Sequence, residues 1–181
     1  QPASAESSSI LRTGRFRLAE DGTLEGVIRI EHRGHLAIRE RDDHAGLSRS
    51  GWCDAVKSDM KARISSAIVD DVHVECPKES GRPCVYELRV RVPQFAMTSG
   101  RRLVLTPAVF QAGLPPTFAA RERRSSIVFP FSWTEVDSLT IAGPPGFAVE
   151  SVDAPVALRL GRIGTYSSSV VAGPDQGSLT L

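Results

Sequence analysis

Cys53 stands in the run Gly-Trp-Cys-Asp, residues 51–54, at the start of a stretch with helical periodicity. A thiol at the N-terminal end of a helix lies in the positive field of the backbone dipoles, which favours the nucleophilic thiolate. His73, with Asp70 or Asp71 just before it, would supply a base and an orienting carboxylate, so a Cys-His-Asp hydrolase using Cys53 can be written on paper. Two features argue against it. No oxyanion donor is identifiable, and Asp70 and Asp71 directly precede the strand that carries His73, where they are placed to turn the chain rather than to reach the imidazole. The sequence therefore favours Cys53 as a small apolar side chain packed beside Trp52.

A second set of donors, His32, His35 and His44 with Asp42 and Asp43, gathers around an expected turn. Such groups are ordinarily solvated at turns, so no metal site is expected, and neither is any cofactor: no Gly-rich phosphate loop precedes a helix, and no serine sits in a G-x-S-x-G context. Cys76 and Cys84 flank Pro-Lys-Glu-Ser-Gly-Arg-Pro between two strand-like runs. That places a disulfide across a hairpin neck, implies an oxidising compartment and, in the chain-entropy view, contributes about 2–3 kcal/mol. Phe129, Phe131 and Trp133 alternate in the most aromatic stretch of the chain. They could stack sugars, but alternating aromatics more often fill a core.

The elements that must position these residues follow from periodicity. Ile127 to Trp133 and Val136 to Ile141 each alternate with period two, and Pro144-Pro145-Gly146 stops the second run; together they read as the core hairpin of an antiparallel sheet. Phe129, Phe131, Leu139, Ile141, Tyr86 and Leu88 are the expected core. Asp21-Gly22 between Phe16–Ala19 and Leu24–Glu31 is a hairpin signal. Trp52, Val56, Met60, Ile64 and Ala67 recur at helical spacing, predicting one long amphipathic helix over 47–67, with Ser48 or Ser50 as its cap. Val72–Cys76, Val85–Val92, Leu103–Leu105, Phe147–Val152, Val156–Leu160 and Tyr166–Val171 supply further strands. Many short strands with Gly and Pro punctuation predict a mainly β fold: an antiparallel β-sandwich with that helix packed on it. Residues 1–13 read as a linker and 14–181 as a single domain with the helix inserted.

The chain of 181 residues carries 22 Lys and Arg against 21 Asp and Glu, a balance that gives no case for nucleic acid. Arg121, Arg123 and Arg124 form its one dense basic cluster, read as a solvated sheet edge. No run is long enough for a membrane-spanning helix. The opening on Gln1, the Ser-rich start and the strand-like end at Gly177 to Leu181 suggest a segment of a longer polypeptide.

The order of several short motifs resembles the C-terminal β domain, a domain of unknown function, of bacterial periplasmic transglutaminase-like proteins. The motifs are Asp21–Gly26 (D-G-T-L-E-G), the spacing of Gly34, Ala37 and Arg41 with the amphipathic helix after it, Leu103–Pro107 (L-V-L-T-P), Arg123–Phe129 (R-R-S-S-I-V-F), Pro144–Glu150 (P-P-G-F-A-V-E) and Gly164–Tyr166 (G-T-Y). After Glu150 the chain departs from the family's usual ending, reading S-V-D-A-P. The resemblance implies a periplasmic or secreted accessory module whose partner is an upstream transglutaminase-like domain of the same parent chain. That domain would hold the catalytic set, so no catalytic residue is carried over here. The rival readings are a glycan- or cell-wall-peptide-binding module and the Cys53 hydrolase.

Overall fold

The computed structural model describes residues 5–79, 81–114, 122, 126–153, 156–174 and 176–181. The Arg121, Arg123 and Arg124 cluster lies outside them. Strand β1 (Ser9–Leu18) and β2 (Leu24–His32) form the expected hairpin, with Gly22 at φ 81° in its turn. β1 begins at Ser9, so Ser9 to Thr13, which read as linker, are ladder residues, and Ser8 and Ser9 are buried. Two helices follow, α1 (His35–Asp43) and α2 (Arg49–Arg63), then β3 (Ile68–Glu75) and β4 (Cys84–Val92). After two short strands, β5 (Met97–Ser99) and β6 (Arg102–Val104), comes the long β7 (Thr134–Ala142). The last four are β8 (Leu158–Arg159), β9 (Thr165–Tyr166), β10 (Val171–Ala172) and β11 (Ser178–Thr180).

Seven strands make one mixed sheet in the order β10-β11-β7-β1-β2-β4-β3. This corrects the antiparallel sandwich. β1 and β7 run parallel, and the remaining strands form two separate ribbons, β5-β6 and β8-β9, rather than a second sheet facing the first. The single long helix is corrected to two. The chain breaks between them at Gly46, φ 91°, and Ser48 caps α2 by accepting the Gly51 amide at 3.1 Å. Leu36–Ile38 lies in α1. That helix is set by Gly34, whose φ of 60° and approach to the Ser7 carbonyl leave no room for a Cβ, and the Ser8 hydroxyl accepts the His35 amide at 3.1 Å.

One face of the sheet carries the core. Leu24, Ile28, Leu88, Val90, Val92 and Leu139 are almost completely buried there, joined by Phe16, Tyr86 and Ile141. Met60 and Ala67 enter the same cluster, and Trp52, Val56 and Ile64 pack against it, so the apolar stripe of α2 faces the sheet as expected. Val109 and Phe110 plug this core from a turn.

The hairpin expected of Ile127–Trp133 is absent. Both edges of β7 are already occupied, by β1 and β11, and Ile127–Trp133 approaches β7 without strand structure. Leu139, Ile141, Tyr86 and Leu88 belong to the core, but Phe129 is 43% exposed and Phe131 only half-buried. Cys76 and Cys84 are disulfide-bonded across the β3–β4 turn, and Cys53 is free.

In denaturant titrations, Ile28→Ala and Leu139→Ala should each lose about 2–5 kcal/mol, whereas Phe129→Ala should lose less than about 1 kcal/mol. Alkylation of the unfolded, unreduced protein should add one label, at Cys53; labelling of all three cysteines would contradict the disulfide.

Candidate functional site

Cys53 lies in the first half of α2, half-buried against the sheet, and its thiol donates to the Val72 carbonyl at 3.4 Å. β3 pairs with β4 so that Val74 stands beside Tyr86 and His73 beside Glu87. Val74 and Tyr86 are buried on the side covered by α2, while His73 and Glu87 are exposed on the other. The sheet itself thus separates the Cys53 thiol from the His73 imidazole. Asp70 and Asp71 are strand residues at a register shift, Asp71 with φ 47°, and the Asp71 carboxylate meets Arg89 at 3.6 Å. The three side chains of the written triad are not brought together.

The histidines divide between two environments. His35 stacks on Phe131 with ring centroids 4.8 Å apart, and its Nδ1 lies 3.1 Å from the Ser8 hydroxyl. His32 and His44 flank Glu40 of α1. His32 Nε2 is 3.5 Å from the carboxylate, and His44 lies flat on Trp52 at 4.7 Å. The Tyr86 hydroxyl donates to Glu40 and accepts from the Trp52 indole at 3.2 Å. Burial, then the hydrogen bond to Glu40, pushes the Tyr86 pKa far up, so the phenol stays protonated. These contacts tie α1, α2 and β4 into one polar seam. Among the described residues, no group of three or more His, Cys, Asp or Glu side chains could hold a metal ion.

Burial holds His32 below the ordinary histidine pKa, against the attraction of Glu40 and with the repulsion of nearby Arg12. Glu135 and His44 also act on it, in opposite directions. The Nδ1 atom of His32 is buried without a hydrogen-bond partner among the described residues.

Sequence reasoning missed Arg12. It lies on the inward phase of β1, with Gly14, Phe16 and Leu18, and its guanidinium donates to Asp137 at 2.6 Å and Glu135 at 2.5 Å of β7. Burial alone would lower its pKa, but hydrogen bonds and charge from Asp137 and Glu135 outweigh this and raise it. An arginine on the apolar phase of an alternating strand was the available signal. The Glu135 carboxylate also accepts the Trp133 indole at 3.0 Å, which fixes that ring beside Phe129, centroids 5.5 Å apart. Phe129, Phe131 and Trp133 thus form a cluster at one end of the sheet, with Trp133 39% exposed.

Comparison with known proteins adds no relative: no family model, curated protein or solved structure matches the chain.

The depressed His32 pKa fixes the sign of one pH effect. The folded protein binds this proton less readily than the unfolded chain, so the contribution is complete above about pH 6.5 and is lost as pH falls through the folded-state pKa. Stability measured by urea titration from pH 7 to 5 should therefore decline, and His32→Gln should flatten that decline.

Proposed function

We propose that this chain is a non-catalytic accessory domain of an exported protein, docking on a transglutaminase-like domain of the same parent polypeptide. The observation that carries this reading is an apolar surface near the C-terminal end. Val156 and Ile163 are 81% and 76% exposed, and Leu158, Leu160 and Tyr166 are also exposed, in and beside the ribbon β8-β9. Contiguous apolar patches on a monomer mark interaction surfaces, and a two-stranded ribbon has little stability unless it packs on something. The separation of Cys53 from His73 across the sheet supports a role without catalysis, and the Cys76–Cys84 disulfide is compatible with a periplasmic or secreted location. No described helix is long and apolar enough to cross a membrane.

A second reading, a glycan- or cell-wall-peptide-binding module, is favoured by the exposed Trp133 and Phe129. Its signature would be a saturable change in tryptophan emission on adding soluble peptidoglycan fragments, absent in Trp133→Ala.

Calorimetric titration into the separately expressed transglutaminase-like domain should show saturable association, weakened at least about tenfold by Leu158→Asp with Ile163→Asp. No association, or association indifferent to these substitutions, would contradict the docking reading. Iodoacetamide should modify Cys53 slowly in the folded protein near neutral pH. Rapid, saturable modification, with peptide amidase turnover abolished by Cys53→Ser, would establish the hydrolase instead.

A further inference from the structure

Among the described residues nothing covers the face of the sheet opposite the core, and its side chains can be placed by register. Arg17 stands between Ala142 and Glu25, with Arg91 one strand beyond; Arg15 stands between Thr140 and Val27, with Arg89 beyond. Thr13 follows between Ser138 and Arg29, with Glu87 beyond. No described segment crosses these rows. Val27 is half exposed, and Arg15, Arg17, Ser138 and Thr140 are all exposed.

Most charges on this face neutralise one another across the strands. Arg91 meets Glu25 at 2.6 Å, Arg29 meets Glu87 at 2.7 Å, and Arg89 meets Asp71 at 3.6 Å. Among the cations of this face Arg15 and Arg17 are the exception: neither side chain makes a hydrogen bond or ion pair with any described residue, and Glu25, the carboxylate nearest Arg17 in register, is taken by Arg91. Two like charges thus project side by side from the middle of the sheet. On one flank, β7 and β11 offer only short side chains, among them Ser138, Thr140 and Thr180. The result is a depression of about 710 Å³ lined by Arg15, Arg17, Val27, Arg91 and Thr140, among others. Asp70, also at its margin, lies three strands from β1, about 14 Å away, beyond the screening length at physiological salt.

We propose that this face docks an extended acidic peptide segment, whose carboxylates at alternate positions pair with Arg15 and Arg17. The spacing carries the assignment. Residues two apart on a strand repeat at about 6.8 Å, and so do alternate side chains of an extended ligand, so two such carboxylates meet the two guanidinium forks in register. Threonine and serine hydroxyls on the β7 side can donate to the ligand's backbone carbonyls. Two free cations are too few to hold a nucleic-acid backbone, which needs a longer run. No residue of the β8-β9 ribbon, proposed to meet the parent catalytic domain, lines this depression.

The test is fluorescence anisotropy of two labelled peptides of equal charge with the intact chain at low and physiological salt: Glu-Ser-Glu-Ser-Glu-Ser and a blocked sequence, Glu-Glu-Ser-Ser-Glu-Ser, in which no two Glu stand two residues apart. The alternating peptide should bind saturably, at least about fivefold tighter than the blocked one, and weaken with salt. Arg15→Ala with Arg17→Ala should reduce its binding at least about tenfold while the thermal midpoint stays within about 2 °C, because both side chains are exposed. Arg15→Lys with Arg17→Lys should restore only part of it, since the bidentate fork is lost. Equal binding of the two peptides, binding that survives the double alanine variant, or heparin binding tighter than the alternating peptide would each overturn the proposal.

Discussion

The Arg12 guanidinium is the joint on which the architecture turns. It is buried on β1, and its two partners, Glu135 and Asp137, lie more than a hundred residues later on β7. A buried cation is tolerated only when paired and hydrogen-bonded, so Arg12 in this environment demands those carboxylates. Meeting the demand brings β7 alongside β1 in parallel, with Leu139 opposite Gly14 and Ile141 opposite Phe16. The C-terminal segment then joins the same sheet: β11 pairs with β7, and Leu181 exchanges backbone hydrogen bonds with Leu139 at 2.8 and 3.0 Å. Loss of the Arg12 side chain would leave Asp137 poorly compensated and cost about 3 kcal/mol.

The same strand organises both faces. Its inward phase, Arg12, Gly14, Phe16 and Leu18, meets the core, with Phe110 reaching into the space that Gly14 leaves. Its outward phase, Thr13, Arg15 and Arg17, faces solvent. Helices α1 and α2 lie on the core side, tied there by the Glu40, Tyr86 and Trp52 contacts. The sheet is packed on one side and charged on the other, and Arg15 and Arg17 sit on the same strand that Arg12 ties to β7.

What the sequence made legible was local. The alternation of β2 and β4, the Asp21-Gly22 turn, the stripe of α2 and the Cys76–Cys84 pairing depend on neighbours close in the chain, and all are present. The parallel β1–β7 pairing could not be read from periodicity, because alternation does not say which strand comes alongside. Without it, Ile127–Trp133 looked like the partner of β7, and its aromatics like core. The start of α1 escaped for a similar reason: Gly34 in a positive-φ conformation reads equally as a break, and only the Ser7–Ser8 contact shows it to be a helix start. The Cys53–His73 pairing failed because a single step along β3 moves a side chain to the other face of the sheet, a distinction the register supplies and spacing does not.

If Arg12 joins the two halves, the backbone amides of Ser9–Leu18 and Thr134–Ala142 belong to one cooperative unit. Native-state hydrogen exchange measures this directly. The account predicts matching protection of β1 and β7 close to the global stability, and a matching fall in both when Arg12 is replaced by alanine. Fast exchange of β7 while β1, β2 and β4 stay protected, or protection of β7 unchanged by loss of Arg12, would contradict it.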